Sequence, residues 1–220
     1  IIIALGILLP AVFIILGRAI EAVGMVATDA SQRLSLIIPI IAAFLLFGEV
    51  LTDTRVLGLV LGFLALGALV YRPQQTDTPK QTKYTPLWLF GVWAGYGIID
   101  ILFKQVAKQG TAFPLTLFVS FGVAGLLLLV YLLVTRVRWQ ADALVAGLLL
   151  GALNMGNIYA YVRAHQVLSD SSSIVFTGMN VGVIAVATLI GVGAFKERLN
   201  RINLVGLLLA VWWRGVLFLA

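Results

Sequence analysis

Phe113-Pro-Leu-Thr-Leu-Phe-Val-Ser-Phe-Gly-Val-Ala-Gly-Leu-Leu-Leu-Leu-Val-Tyr-Leu-Leu-Val-Thr135 runs for 23 residues without a charged side chain. The hydrocarbon core of a bilayer is about 30 Å thick and takes about 20 apolar residues of helix to cross. A run of this length and purity reads as a membrane span. Seven further stretches read the same way, at 1–20, 33–48, 55–71, 86–104, 143–165, 173–195 and 203–219.

The composition of all 220 residues agrees. Hydrophobic residues make up 61%, charged residues 11%, and the mean hydropathy is +1.08. A soluble domain carries about 45–50% apolar and about 25% charged residues. The chain lacks the charge to clothe a water-exposed surface, and the same figures exclude disorder, coiled coil and collagen. The absence of cysteine excludes a disulfide scaffold, thiolate metal sites and a Cys nucleophile. The net charge of +6 comes from 15 Lys and Arg scattered between apolar blocks. A nucleic-acid binder gathers them on one face, so this charge bears on topology and nucleic acid is not an expected partner. The expected class is an all-α membrane protein, a helical bundle of eight transmembrane helices. The apolar run from Ile1 has no charged region before it and no small-residue cleavage site after it, so it is not a signal peptide. The sequence is expected to be part of a longer chain whose N-terminal portion is missing.

Within the spans, small residues four apart (Gly58/Gly62, Gly91/Gly95, Gly147/Gly151 and Gly178/Gly182) are expected at helix contacts. Pro39 and Pro114 are expected at a kink or a helix start. Arg72-Pro-Gln-Gln-Thr-Asp-Thr-Pro-Lys-Gln-Thr-Lys83 has no apolar residue and reads as a solvent linker. It divides three helices from five.

The two parts repeat one another. At an offset of 148, Phe47, Glu49, Leu51, Gly58, Leu59 and Leu61 recur as Phe195, Glu197, Leu199, Gly206, Leu207 and Leu209. With a three-residue shift, Arg18-Ala-x-Glu21 matches Arg163-Ala-x-Gln166. The expected parent therefore has ten helices in two five-helix repeats. Residues 1–71 are the last three helices of the first repeat, 72–86 the linker and 87–220 the second repeat. Five helices per repeat is odd, so the repeats are inverted, an arrangement that marks secondary transporters with a midplane site.

Ser35-Leu-Ile-Ile-Pro39 followed by Leu46-Phe-Gly-Glu49-Val-Leu-Thr52 and Gly58 resembles the ending of an EamA-type repeat. Ala194-Phe-Lys-Glu197-Arg-Leu199 with Gly206 resembles its second copy. That family lies in the drug/metabolite transporter superfamily. The resemblance covers essentially the whole chain. It implies ten helices, a bacterial inner (plasma) membrane location and transport of small metabolites. Ala187 stands where the first copy has Pro39, and Arg214 where it has Leu66.

Polar groups inside a membrane bundle are costly and read as site candidates. Asn154, Asn157, Tyr161 and His165, spaced 3, 4 and 4, share one helix face. The amides and the phenol suit a polar metabolite, and His165 is either an interfacial residue or a proton relay. Thr177 and Asn180 add a second polar face. Trp93, Tyr96, Asp100 and Lys104 repeat the 3, 4, 4 spacing. Asp100 is either the partner of Lys104 in an i,i+4 ion pair or a titratable acid for proton coupling. Trp93 and Tyr96 stack on a ligand or simply pack. Arg18 either pairs with Glu21 or joins Arg163 in an anion site. Glu49 and Glu197, among charged neighbours, read as structural.

The function expected is a secondary, ion- or exchange-driven transporter of small organic metabolites working by alternating access. The alternative is a non-transporting membrane receptor or scaffold subunit. No P-loop is present, so ATP is not the driver. One His, no Cys and no metal or nucleophile motif argue against an enzyme. No cofactor and no metal are expected. The expected partners are a small-molecule metabolite and the lipid bilayer, with a homodimer as an option.

Overall fold

The computed structural model describes residues 1–50, 52–70, 84–137 and 139–195, together with 201, 202, 204–206, 208, 209 and 212. Among the described residues there is no strand. The helices are α1 (Ile2–Val23), α2 (Met25–Leu34), α3 (Ile37–Leu45), α4 (Asp53–Val70), α5 (Thr85–Ala107), α6 (Phe113–Val134), α7 (Ala141–Val167) and α8 (Ser172–Phe195). A 3-10 turn, Gly110–Ala112, leads into α6.

Six helical stretches are long and apolar enough to cross a membrane: Ile2–Val23, Ala27–Leu45, Thr85–Ala107, Phe113–Val134, Ala141–Val167 and Ser172–Ile190. The chain is a multi-pass, all-helical membrane protein. The apolar part of α4, Val56–Ala68, is shorter than these spans. The expected linker at 72–83, Glu197, and most of the expected last span lie outside the described residues. α5 starts at Thr85, with Pro86 in its first turn, where a missing N–H breaks no helical bond.

The second span differs from its expected bounds of 33–48. Helix begins at Met25, directly after Gly24, whose φ of 83° lets the chain turn from α1 into α2. It is then interrupted at Ser35–Leu36. Pro39 supplies the reason, because its ring would clash with the Ser35 carbonyl and it has no N–H to offer that group. The Ile38 N–H donates to Ser35 O at 2.9 Å instead of continuing the α ladder to Leu34 O. The freed Leu34 carbonyl accepts the indole N–H of Trp93 at 3.1 Å. Ser31 Oγ donates to Leu89 O at 2.8 Å one turn earlier. The interrupted span is thus sewn to α5 by side chains.

α1 is the axis of the bundle and packs on both α5 and α6. Leu5, Leu9, Val12 and Ala19 form its buried stripe. Close approach depends on small residues. A Cβ on Gly6 would fall 2.6 Å from Val123 Cγ1 of α6, and one on Gly91 would fall 3.0 Å from Ile15 Cγ2. Gly95 meets Val12 in the same way. The Gly91/Gly95 pair therefore lies at a helix contact as its spacing suggests. A Cβ on Gly147, Gly151 or Gly182 would meet no other element within 4 Å among the described residues, so these positions are not at helix contacts there. The N-terminal half of α7, from 141 to 157, is exposed except at Met155. Its C-terminal half is covered by α5 and α8, which buries Ile158, Tyr161, Val162 and His165.

Gly95→Leu should lower stability in detergent by about 1–3 kcal/mol through overpacking against Val12. Gly125→Leu, facing open space on α6, should stay within about 0.5 kcal/mol of the parent. Reversible unfolding in mixed micelles reads both.

Candidate functional site

Polar side chains gather in a seam along α5, which packs on α2 and on α7, with α8 in turn packed on α7. Tyr161 on α7 donates its hydroxyl to Asp100 Oδ1 on α5 at 3.0 Å. The Tyr161 ring is held edge-on by Phe103 at 6.2 Å, His165 at 4.9 Å and Phe176 at 6.5 Å between centroids. His165 sits 4.6 Å from the Phe176 ring and is 1% exposed. Among the described residues, neither of its ring nitrogens has a hydrogen-bond partner, and the buried Thr177 hydroxyl has none either. Asp100 of α5 and Tyr161 and His165 of α7 are therefore brought to one region, against Phe176 of α8, the residue before Thr177.

The expected Asp100–Lys104 ion pair is not formed. Asp100 turns to Tyr161, while Lys104 Nζ donates to Ser169 O in the α7–α8 turn at 2.8 Å. An intrahelical pair would have left both groups on one surface of α5, whereas this arrangement satisfies each against a different part of the neighbouring elements. His165 also departs from the interfacial alternative. It lies near the end of α7, but the covering helices α5 and α8 bury the face it shares with Tyr161.

Tyr96 lies one turn before Asp100, half-buried against the core, with Asp29 and Arg33 of α2 among its charged neighbours. Arg33 pairs with Asp29 at 3.3 Å, and its Nε is buried without a partner among the described residues. Trp93 is committed to the Leu34 carbonyl, with its ring 5.6 Å from Phe90. Asn180 donates to its own helix at Phe176 O, 3.1 Å. Asn154 and Asn157 are exposed on the uncovered half of α7.

Arg18 and Arg163 do not form a joint site. Arg18 contacts Glu21 Oε2 at 3.3 Å, and Arg163 donates to Gln166 Oε1 at 2.8 Å. Both pairs are exposed and span three residues, so positions matched by the repeat make the same local contact. Gln166 also donates to Ala107 O and Gly110 O, tying α7 to the end of α5.

Asp29, Arg33 and Glu49 escaped the sequence-based choice of site residues. For Asp29 a signal existed. The offset of 148 that aligns Glu49 with Glu197 also aligns Asp29 with Thr177 and Gln32 with Asn180. For Glu49 the contact lies 124 residues away, at the first turn of α8, and no local pattern announces it.

The fold and the seam define an all-helical, multi-pass membrane protein with ionisable groups packed between its spans. No family model matches the chain. It is 48% identical over 215 residues to an uncharacterized protein of Haemophilus influenzae, a match covering 98% of this chain and 70% of that protein. The chain belongs to the family of that protein.

A double-mutant cycle tests the seam. Tyr161→Phe and Asp100→Asn should each destabilise the protein in micelles, with a coupling energy of about 0.5–2 kcal/mol, the range of hydrogen bonds between membrane helices. A coupling indistinguishable from zero would remove the Asp100–Tyr161 bond from the account.

Proposed function

We propose that this protein is a secondary transporter of small organic metabolites, of the EamA type within the drug/metabolite transporter superfamily, acting in the bacterial inner membrane by alternating access. The observation that carries the reading is the seam itself. Asp29, Arg33, Tyr96, Asp100, Tyr161 and His165 lie within stretches otherwise apolar enough to span a bilayer. Ionisable groups are rare inside such spans and mark substrate and ion paths. Asp100 and His165 are the proposed proton-coupling groups. Tyr96, Tyr161 and Thr177 line the proposed substrate path, with Asp29 and Arg33 at its α2 side.

The proposed architecture is ten helices in two inverted repeats, of which this chain carries eight. Three features support it. Arg18/Glu21 and Arg163/Gln166 make equivalent contacts. The interrupted pair α2–α3, from 25 to 45, aligns at the offset of 148 with α8, which starts at Ser172. The third feature concerns the faces of α1 and α7. In the register that pairs Arg18 with Arg163, the buried residues Leu5, Gly6, Leu9 and Val12 fall on Leu150, Gly151, Asn154 and Asn157, all exposed. α5 and α6 cover that face of α1. In the proposed parent two further helices cover the matching face of α7. Asn154 and Asn157 then point into the bundle, as substrate-binding residues.

The test is a metabolite profile of cells and medium. Full-length protein is compared with Asp100→Asn and with the Asn154→Ala/Asn157→Ala double variant. The reading predicts at least one small organic compound whose distribution changes with the parent protein. Asp100→Asn should cut that flux by about tenfold or more, equivalent to about 1.4 kcal/mol lost from the limiting step. No redistribution by any inserted, folded form would contradict transport and favour a receptor or scaffold subunit.

A further inference from the structure

The loop after α3 reaches across the molecule. Glu49 accepts the Ser173 backbone N–H through Oε1 at 2.9 Å and Oε2 at 3.3 Å, and it accepts the Ser173 hydroxyl through Oε2 at 2.5 Å. Ser173 lies in the first turn of α8, where backbone N–H groups lack helical partners and the helix dipole favours a negative charge. A helix cap ordinarily comes from the residues just before the helix. This one comes from 124 residues away, on the far side of the linker. Phe47, two residues before Glu49, lies under the Lys108 ammonium at 4.6 Å and within 5.9 Å of that of Lys104. Lys104 is itself buried and bound to Ser169 O in the turn that leads into α8. The end of α5, the α7–α8 turn and the start of α8 are therefore gathered around the loop that carries Phe47 and Glu49.

We infer that Glu49 is a latch that fastens the α3–α4 loop to the start of α8 and holds this end of the bundle closed. The closed arrangement leaves costs behind it. Among the described residues, Ser172 Oγ, Thr177 Oγ1 and both ring nitrogens of His165 are buried without hydrogen bonds. Unsatisfied buried groups favour any state that lets water or a solute reach them. The charge-assisted bonds of Glu49 oppose that opening. In this inference Glu49 shifts the balance toward the closed arrangement. The repeat gives Glu49 a sequence counterpart in Glu197, which lies outside the described residues.

The latch rests on the transport reading only for what its opening admits; the latch itself is tested without transport. The chain has no cysteine, so one introduced thiol reports alone. Ser172→Cys places it beside the latch, and Ser120→Cys places a buried control on α6. N-ethylmaleimide labelling of each is timed in membranes holding the full-length protein with Glu49, Glu49→Asp or Glu49→Ala. The expected result is slow labelling at position 172 with Glu49. Labelling should be about tenfold faster or more with Glu49→Ala, as expected for losing hydrogen bonds to a charged group. Glu49→Asp should give an intermediate rate, and the Ser120→Cys thiol should stay slow throughout. An unchanged rate at position 172 in Glu49→Ala would overturn the latch. So would equal acceleration at position 120, which would make Glu49 a general structural cap. Faster labelling at 172 alone, with no metabolite redistributed by any of these forms, would keep the latch and count against the transport reading.

Discussion

A carboxylate on a membrane-spanning helix has no water to bond and must be satisfied by protein. Asp100 meets this constraint through the hydroxyl of Tyr161, and that bond fixes which faces of α5 and α7 meet. Once Tyr161 is turned toward α5, His165, one turn further along, is carried against Phe176 of α8. Lys104, one turn beyond Asp100, is left facing the α7–α8 turn, where the Ser169 carbonyl receives it. The convergence of α5, α7 and α8 thus follows from satisfying two ionisable groups of α5 against different neighbours.

The other side of α5 is organised by shape. Gly91 and Gly95 let α1 approach, and Gly97 lets in Ile38 of α3. The interruption at Ser35–Leu36 would be costly in lipid with its carbonyl unmet. Trp93 meets it from the same helix that carries Asp100. α5 therefore holds two jobs on two faces, closing the broken span and anchoring the acid. In the proposed transporter this makes α5 the element through which movement of the broken span would be felt at Asp100.

Much of this was legible in the sequence, because lipid makes strict demands. Apolar length marked α1, α5, α6, α7 and α8 to within a few residues, and small-residue spacing marked the Gly91/Gly95 contact. Pro39 marked a disturbance in the second span. The start of that span was missed because Thr28, Asp29, Ser31, Gln32 and Arg33 make α2 too polar to read as membrane helix. Those groups are admitted by local pairing, as Arg33 with Asp29, and by bonds such as Ser31 to Leu89 O. The 3, 4, 4 spacings put Asp100 and Tyr161 on the right faces, but spacing within one helix cannot say which helix lies opposite. That is why Lys104 read as the natural partner of Asp100. Glu49 read as structural, but its partner Ser173 was invisible for the same reason at longer range.

The relation between α1 and α7 is where the account is most exposed, since proposed inversion puts their C-terminal ends on opposite sides of the membrane. Glu21 and Val167 are exposed residues at those two ends, in a chain free of cysteine. Single Glu21→Cys and Val167→Cys variants of the full-length protein, treated in intact cells and in permeabilised cells with a membrane-impermeant maleimide, report the side directly. The account predicts that one position labels in intact cells and the other only after permeabilisation. Labelling of both from the same side would contradict inversion, and with it the two-repeat transporter.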